Sequence, residues 1–485
     1  MRCFLGSVGL ADMALIEGTP GAESLVGTYG DDRIYGFDGN DTLDGLDGND
    51  RLYGGLGDDL IRTGYGTDRA WGDAGNDTLR GGGGGDQTLW GGAGDDWVLL
   101  GVDRTFGGPF VGTGYGGAGN DLLQLGWTDS GHLFGGSGRD TARLVAYSTN
   151  HADTTVNLVD GLVGSSGRFV TFDSIERLEF FGDFGNHTVT GGALDDVIYV
   201  GTGNDSVSAG AGDDIVGYRP WGSHVLDGGA GNDLLVLEGL VGSSVYFVVG
   251  ADGSVDDGNL SQITGFERYF VFGQGPLADL ISLGAGDDTG QGFGGNDTLF
   301  GGEGDDWLEG KYANDILSGD AGKDVLAGGF GNDTLYGGQG RDHLGGGVGD
   351  DVLFGGTGGD KLKGGAGVDT LTGGGGADWF VFARPGDGVD LVTDFQTGQD
   401  MARISAQHLP DPGAGGFLAS GAVAPDRFSV GAAVGAQAQF VLGHEAGAGE
   451  TVLYWDADGA GAGAAVALVR FLGVVDVTAA DLWVL

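Results

Sequence analysis

Along most of this chain one apolar residue recurs at every ninth position, inside stretches that are otherwise glycine and polar. The period is clearest between residues 274 and 381. There the eighth position of the repeat is apolar in eleven of twelve successive units, from Ile281 through Leu299 and Leu308 to Phe380, with Gly290 the exception. Asp and Gly, which favour turns, predominate around it rather than the Glu that helix surfaces favour, so the chain reads as turn-rich and all-β. One inward residue on a three-residue strand, repeated every nine, predicts a flattened coil. Two nonamers make one turn, with a strand on each face. So narrow an apolar stripe cannot close a core alone, and successive coils must stack as parallel strands. The predicted fold class is therefore all-β: a parallel β-roll or β-helix solenoid of nonapeptide repeats, with a β-rich C-terminal cap.

The polar positions keep the same time. From Gly27 the chain reads GTYGDDRIY, GFDGNDTLD, GLDGNDRLY and GGLGDDLIR, which places Asp32, Asp41, Asp50 and Asp59 at the sixth position. The spacing continues through Asp68, Asp77 and Asp86, and one inserted residue then shifts the frame to Asp96. It restarts at Asp279 and runs without a slip through Asp288, Asp297, Asp306, Asp315, Asp324, Asp333, Asp342, Asp351, Asp360, Asp369 and Asp378. The glycines supply the positive φ and close backbone approach that tight turns need.

Composition sharpens this picture. There are 111 Gly in 485 residues, yet no Gly-X-Y period and only 8 Pro, which excludes collagen. Hydrophobic residues make up 40 %, too many for plain disorder. Acids outnumber bases 70 to 22, for a net charge of −48, and only ten of the acids are Glu. Nucleic acid is thus not an expected partner, since no basic patch exists to displace counterions from phosphates. Cys3 is the only cysteine, so disulfides and thiolate metal sites are excluded. No apolar run approaches the roughly 20 residues of a transmembrane helix. Met1–Ala14 makes a poor secretory signal, so an export address is expected elsewhere.

In a stacked coil each sixth-position Asp lies above the Asp two units later. Asp297, Asp315, Asp333 and Asp351 then form a ladder along one edge, and Asp306, Asp324, Asp342 and Asp360 along the other. Coils lie ~4.8 Å apart, where carboxylates repel one another unless a cation stands between the rungs. Oxygen-only ligands select Ca²⁺ over zinc, and Mg²⁺ fits poorly because it demands small octahedral geometry. The chain resembles the RTX (repeats-in-toxin, hemolysin-type) calcium-binding proteins, which carry this nonapeptide. The resemblance implies a β-roll holding Ca²⁺ through Asp carboxylates and turn carbonyls. It also implies export by a type I system through an uncleaved C-terminal signal. Ligands expected beyond the two regular blocks are Asp121, Asp196, Asp205, Asp214 and Asp233. Counting gaps between rungs gives about six sites in the first block and about ten in the second, about sixteen Ca²⁺ in all.

The expected organisation is a cap or leader over 1–26, a first repeat block over 27–99, and degenerate coils with scattered repeat units over 100–273. A second block over 274–381 and a C-terminal cap with secretion signal over 382–485 complete it. In the middle region an echo, Leu162-Val-Gly-Ser-Ser166 and Leu240-Val-Gly-Ser-Ser244, suggests wider coils without turn-bound metal, or else inserted β-modules.

Catalytic constellations are missing from the sequence. His444-Glu445 lacks the second His of HExxH, no GxSxG or P-loop occurs, and Asp456-Ala-Asp-Gly459 ends on Ala467 where an EF-hand needs Glu. His151, Asp153, Arg168, Arg177, His187 and Arg268 could serve a polysaccharide lyase or epimerase, by fold analogy, though polar residues on a solvated face account for them more simply. Trp97, Trp221, Trp307 and Trp379 could stack on sugars, with strand-cap packing the more ordinary role. The expected function is a secreted, extracellular calcium-binding protein of surface, matrix or adhesive type. Calcium ions, the type I secretion machinery and a cell-surface or extracellular glycan are its expected partners. The alternative is a carbohydrate-active enzyme with a site on the middle coils.

Overall fold

The computed structural model describes residues 13–100, 111–126, 130–146, 154–158, 162–165, 168–239, 244–249, 253–259, 261–382, 388–405, 410–411, 416–417, 421–430, 438–445, 449–457, 465–473 and 476–485. The leader residues 1–12, His151, Asp153, part of the Leu240–Ser244 echo and the last two residues of the Asp456–Gly459 turn lie outside them. Among the described residues there is no α-helix, only short 3₁₀ turns such as Pro425–Arg427 and Ala479–Asp481. No helix there is long and apolar enough to cross a membrane. The chain divides into two compact units, Met1–Val236 with Asn259–Phe266, and Leu237–Gly258 with Glu267–Leu485.

In the first unit one face runs through Arg33–Asp38, Arg51–Leu56, Arg69–Ala74, Gln87–Ala93, Val111–Ala118 and Ser130–Ser137, all in parallel register. The other face runs through Thr42–Asp44, Leu60–Arg62, Thr78–Arg80, Trp97–Leu100, Leu122–Gly126 and Thr141–Ala146. The apolar clock becomes a column between them, with Ile34, Leu43, Leu52, Ile61, Leu79, Leu89 and Val98 fully buried. Where the repeat glycines fail, the chain departs from the plain coil. Thr154–Asn157, Leu162–Ser165 and Arg168–Asp173 pair antiparallel in sequence. The parallel stack resumes at His187–Thr190, Ser206–Ala211 and Val225–Ala230.

The second unit is more regular. Leu280–Ala285, Thr298–Glu303, Ile316–Gly322, Thr334–Gly340, Val352–Gly358 and Thr370–Gly375 form one face. Thr289–Gly294, Trp307–Tyr312, Val325–Phe330, His343–Val348, Lys361–Ala366 and Trp379–Phe382 form the other. At Gly290, where the clock misses a beat, buried Leu283 closes the gap: a Cβ at Gly290 would stand 3.4 Å from its Cδ1. Beyond the repeats, Asp390–Val392 and Met401–Ile404 extend both faces. An antiparallel meander, Gln439–Glu445, Glu450–Asp456 and Val466–Leu472, docks on Asp390–Val392. Phe380, Phe395 and Phe471 pack in a chain with centroids 5.9 and 4.9 Å apart, covering an end that would otherwise expose an open sheet edge.

Candidate metal centre

Each repeat turn places its sixth-position Asp at the start of a strand, where the side chain is buried at the edge of the coil. Asp41, Asp50, Asp59, Asp77, Asp96, Asp297, Asp315, Asp333 and Asp351 are each at most 3 % exposed. The turn that puts them there depends on glycine. At Gly48 φ is +133°, and a Cβ would come within 2.5 Å of Gly30 O in the coil before.

The two carboxylate oxygens do different work. Oδ1 accepts a hydrogen bond from the backbone N–H of the rung one coil earlier. Asp50 Oδ1 accepts from Asp32 N at 2.8 Å, Asp59 from Asp41 at 2.7 Å, and Asp77 from Asp59 at 2.8 Å. Asp96 accepts from Asp77 and Asp121 from Asp96, both at 2.8 Å. In the second unit the ladder Asp279–Asp297–Asp315–Asp333–Asp351–Asp369 repeats this at 2.8 to 2.9 Å. The ladder Asp288–Asp306–Asp324–Asp342–Asp360–Asp378 does so on the opposite edge, each bond 2.9 Å.

Oδ2 is left over. In Asp41, Asp50, Asp59, Asp77, Asp96 and Asp121, and on every rung from Asp288 to Asp378, it is buried without a hydrogen-bond partner. A buried carboxylate oxygen of this kind is costly unless a cation meets it. Burial, with neighbouring rungs adding like charge, pushes these carboxyls well above the ordinary value: Asp59 to about 6, Asp50, Asp77, Asp315 and Asp351 to about 7, and Asp306 to about 8. Their Oδ1 hydrogen bonds pull the other way but do not prevail.

The glycine at position one leaves room for that cation. A Cβ at Gly36 would lie 2.5 Å from Asp41 Oδ2 and 2.6 Å from Gly54 O. At Gly27 it would lie 2.5 Å from Gly45 O and 2.7 Å from Asp32 Oδ2, and at Gly355 2.6 Å from Gly373 O and 2.7 Å from Asp360 Oδ2. Carboxylate and carbonyl thus converge on space that any side chain would fill. Among the described residues no three His, Cys, Asp or Glu side chains gather into one cluster. The donors are carboxylates one per rung with turn carbonyls, a hard all-oxygen set that fits Ca²⁺.

Some expected ligands stand elsewhere or meet a protein partner. Asp86 is exposed, because the inserted residue puts Gln87 at the rung. Gln87 Nε2 donates to Asp68 Oδ2 and to Gly66 O, both at 2.8 Å, and its Oε1 accepts from Thr63 Oγ1 at 2.7 Å. Asp196 joins a ladder with Asp214 and Asp233, accepting from Leu178 N at 2.6 Å, but its Oδ2 accepts from Gly192 N. Asp205 sits between two histidines at rung positions. It accepts from His187 N at 2.7 Å, and its Oδ2 lies 3.1 Å from His224 Nδ1, both side chains fully buried. Glu176 Oε2 takes the rung after Asp140 at 2.8 Å.

The sequence reading missed His224, Gln87 and Glu176 as rung residues. It also missed an outer ladder at position five, running the opposite way, in which Asn49 N donates to Asp31 Oδ1 and Asn76 N to Asp58 Oδ1, each at 2.8 Å. The signal was the recurrent Asn-Asp and Asp-Asp pair. Of the residues considered for an enzyme, His151 and Asp153 lie outside the described residues, and Arg177 and His187 have structural partners. Arg177 donates to Asp195 O at 2.7 Å, and buried His187 packs edge-on to Phe180. Trp97, Trp221, Trp307 and Trp379 are 40 to 61 % exposed, and Arg403 lies over the Trp379 ring.

No curated protein matches the chain. The family model of the RTX calcium-binding nonapeptide repeat matches residues 17–104, 181–217, 225–239 and 275–380, together just over half of the sequence. These segments carry most of the ladders just described, and the glycines that clear their donor oxygens are the repeat's own. The chain belongs to the RTX calcium-binding repeat proteins.

Proposed function

We propose that this calcium-binding repeat protein works outside the cell, as a non-enzymatic surface, matrix or adhesive component that folds when it meets extracellular Ca²⁺. The observation that carries the reading is the file of buried, unpartnered Oδ2 atoms on every rung from Asp288 to Asp378. Extracellular modules bind Ca²⁺ with Kd near 10⁻⁴–10⁻³ M, and at tenfold excess each site stabilises the fold by about 1.4 kcal/mol. At cytosolic Ca²⁺ that contribution vanishes, leaving repelling carboxylates and entropy-rich glycine. A chain loose inside and folded outside suits passage through a type I exporter, with folding at the exit opposing back-sliding. About sixteen Ca²⁺ is the full complement of this reading, lowered wherever Gln87 or His224 meets a rung carboxylate directly.

Expression beside a type I exporter tests the export half. The full chain is expected in the medium, and a chain ending at 381 is expected to stay in the cells; equal release of both contradicts it. Incubation with acidic polysaccharides tests the non-enzymatic half, since polymer length should not change. Shortening that is lost on Arg177→Ala would favour the lyase reading instead.

A further inference from the structure

One face of the first unit carries a feature the calcium ladders do not use. At the ninth position of alternate repeats, Tyr35, Tyr53, Trp71, Trp90, Tyr115 and Phe134 stand side by side on neighbouring strands. Their rings stack in one column, with centroids 4.5 to 5.5 Å apart and planes within 8°. All six are half-buried on the outward side, opposite the Ile34, Leu52 and Leu89 column. Two positions earlier, Arg33, Arg51 and Arg69 form a second row in the same register, Arg33 and Arg69 exposed and Arg51 half-buried. An open cavity of about 420 Å³ runs along this row, lined by the three arginines with Asp31, Asp32, Asp50, Asn49 and Thr67 among its walls.

Three guanidiniums at strand spacing repel one another and cost stability unless an anion lies across them. Among the described residues none of the three forms an ion pair, in a chain with only 22 basic residues against 70 acidic ones. The ring column adds to the same bias. Stacked face to face, the rings cover one another's electronegative faces and present their electropositive edges. That arrangement does not suit a sugar ring or base stacking flat on an aromatic. It suits a linear polyanion lying along the coil axis, with an anionic group at each ~4.8 Å step. A uronate polysaccharide carries one carboxylate per pyranose, a repeat comparable to the strand spacing, and guanidinium pairs with carboxylate in bidentate fashion.

We propose that the outward face formed by Arg33, Arg51 and Arg69 and the adjoining Tyr35–Phe134 ring column binds a uronate-bearing polysaccharide. The proposal deepens the extracellular reading above by naming a partner, and it requires the calcium-folded roll. Asp31 and the rung carboxylates flank the arginines and limit the site to chains threaded along the row. Nucleic acid is the less suited polyanion, because its bases bind by stacking flat on aromatic faces and here neighbouring rings cover those faces.

The test uses the full chain in saturating Ca²⁺, with isothermal titration by oligogalacturonate, by a neutral cello-oligosaccharide and by single-stranded DNA. Circular dichroism on the same samples reports the fold. Oligogalacturonate alone should bind, weakening as salt rises, and the combined Arg33→Gln, Arg51→Gln, Arg69→Gln variant should bind at least tenfold more weakly while keeping its spectrum. If that variant does not fold, Arg51→Gln alone should still lower affinity about threefold. Unchanged affinity in a folded variant would mean that Ca²⁺ bridges the glycan to acidic surface, and the proposal fails. Equal binding of the neutral sugar, or preferred binding of DNA, overturns it too. A wild-type chain that folds on Ca²⁺ yet binds nothing refutes this face alone, whereas a chain that does not respond to Ca²⁺ refutes the calcium reading beneath it.

Discussion

Rungs Asp288 to Asp378 of the second unit and rungs His187 to Asp233 of the first perform the same structural task with different chemistry. In the second unit every rung is Asp. One oxygen closes the backbone of the preceding coil and the other has no protein partner. The stretch of the first unit is mixed: Asp214 Oδ2 is as unpartnered as those of the second unit, whereas Asp205 has the imidazole of His224 at 3.1 Å and, earlier in the same unit, Asp68 has the amide of Gln87 at 2.8 Å. The N–H caps persist in both regions, so they are the part of the rung that builds the coil. The second oxygen is the part that recruits a cation, and a nitrogen from a neighbouring side chain can stand in for it. The comparison teaches that calcium dependence is a local property of the stack, set turn by turn by what occupies position six.

The largest expected difference is in hydrogen exchange after chelation. Amides of residues 288–378 should lose protection by several orders of magnitude when Ca²⁺ is removed, while those around His187, Asp205 and His224 lose much less. Uniform loss across both regions would break the comparison. Next comes Asp333→Ala, which removes a cation ligand and leaves Asp315 N without its acceptor. A buried unpaired N–H costs about 1–3 kcal/mol, so the calcium midpoint should rise several-fold. Gln87→Ala should shift that midpoint far less, since it deletes no cation site.

The pH response sharpens the same contrast. Without cation, burial raises the rung carboxyls in the folded roll, Asp59 to about 6 and Asp306 to about 8, against about 3.9 when unfolded. The folded state therefore holds more protons. The resulting stability is present below pH 4 and is lost as pH rises through 6 to 8. Chelated protein should gain β structure on acidification from pH 8 to pH 5, and Ca²⁺ added back after removal of chelator should bind more weakly over the same interval because protons compete for Oδ2. A pH-independent calcium midpoint would contradict the raised carboxyls. The smallest effect is at Ala313, whose φ of +78° sits where most repeats have glycine. Ala313→Gly should stabilise the calcium-loaded chain by about 1 kcal/mol, read as a rise in Tm.

Most of the coil could be read from residue spacing because its two determinants, the apolar eighth position and the acidic sixth, both obey the nine-residue period. The pairing of Asp297 with Asp315 and of Asp306 with Asp324 follows from eighteen residues per turn alone. The departures were less legible because each breaks that period. A single inserted glycine moves Gln87 into the place Asp86 would have held. His187 and His224 follow Gly-Asn and Gly-Ser as the rung Asp does, yet they do not resemble a carboxylate. The antiparallel excursion of residues 154–173 has glycines at 161, 164 and 167, but their spacing is off the nine-residue period and so did not register beside the repeat. The ring column was equally legible as aromatics at position nine of every second repeat, which eighteen residues per turn places on one face, but position nine was not read.

The most direct test of calcium-built folding is far-UV circular dichroism of chelator-stripped protein during Ca²⁺ titration, with Mg²⁺ in parallel. A cooperative coil-to-β transition near millimolar Ca²⁺, absent with Mg²⁺, is the predicted result. A β spectrum already complete in chelator and indifferent to Ca²⁺ would contradict it, and would mean that the apolar column and cap hold the roll without the ladders.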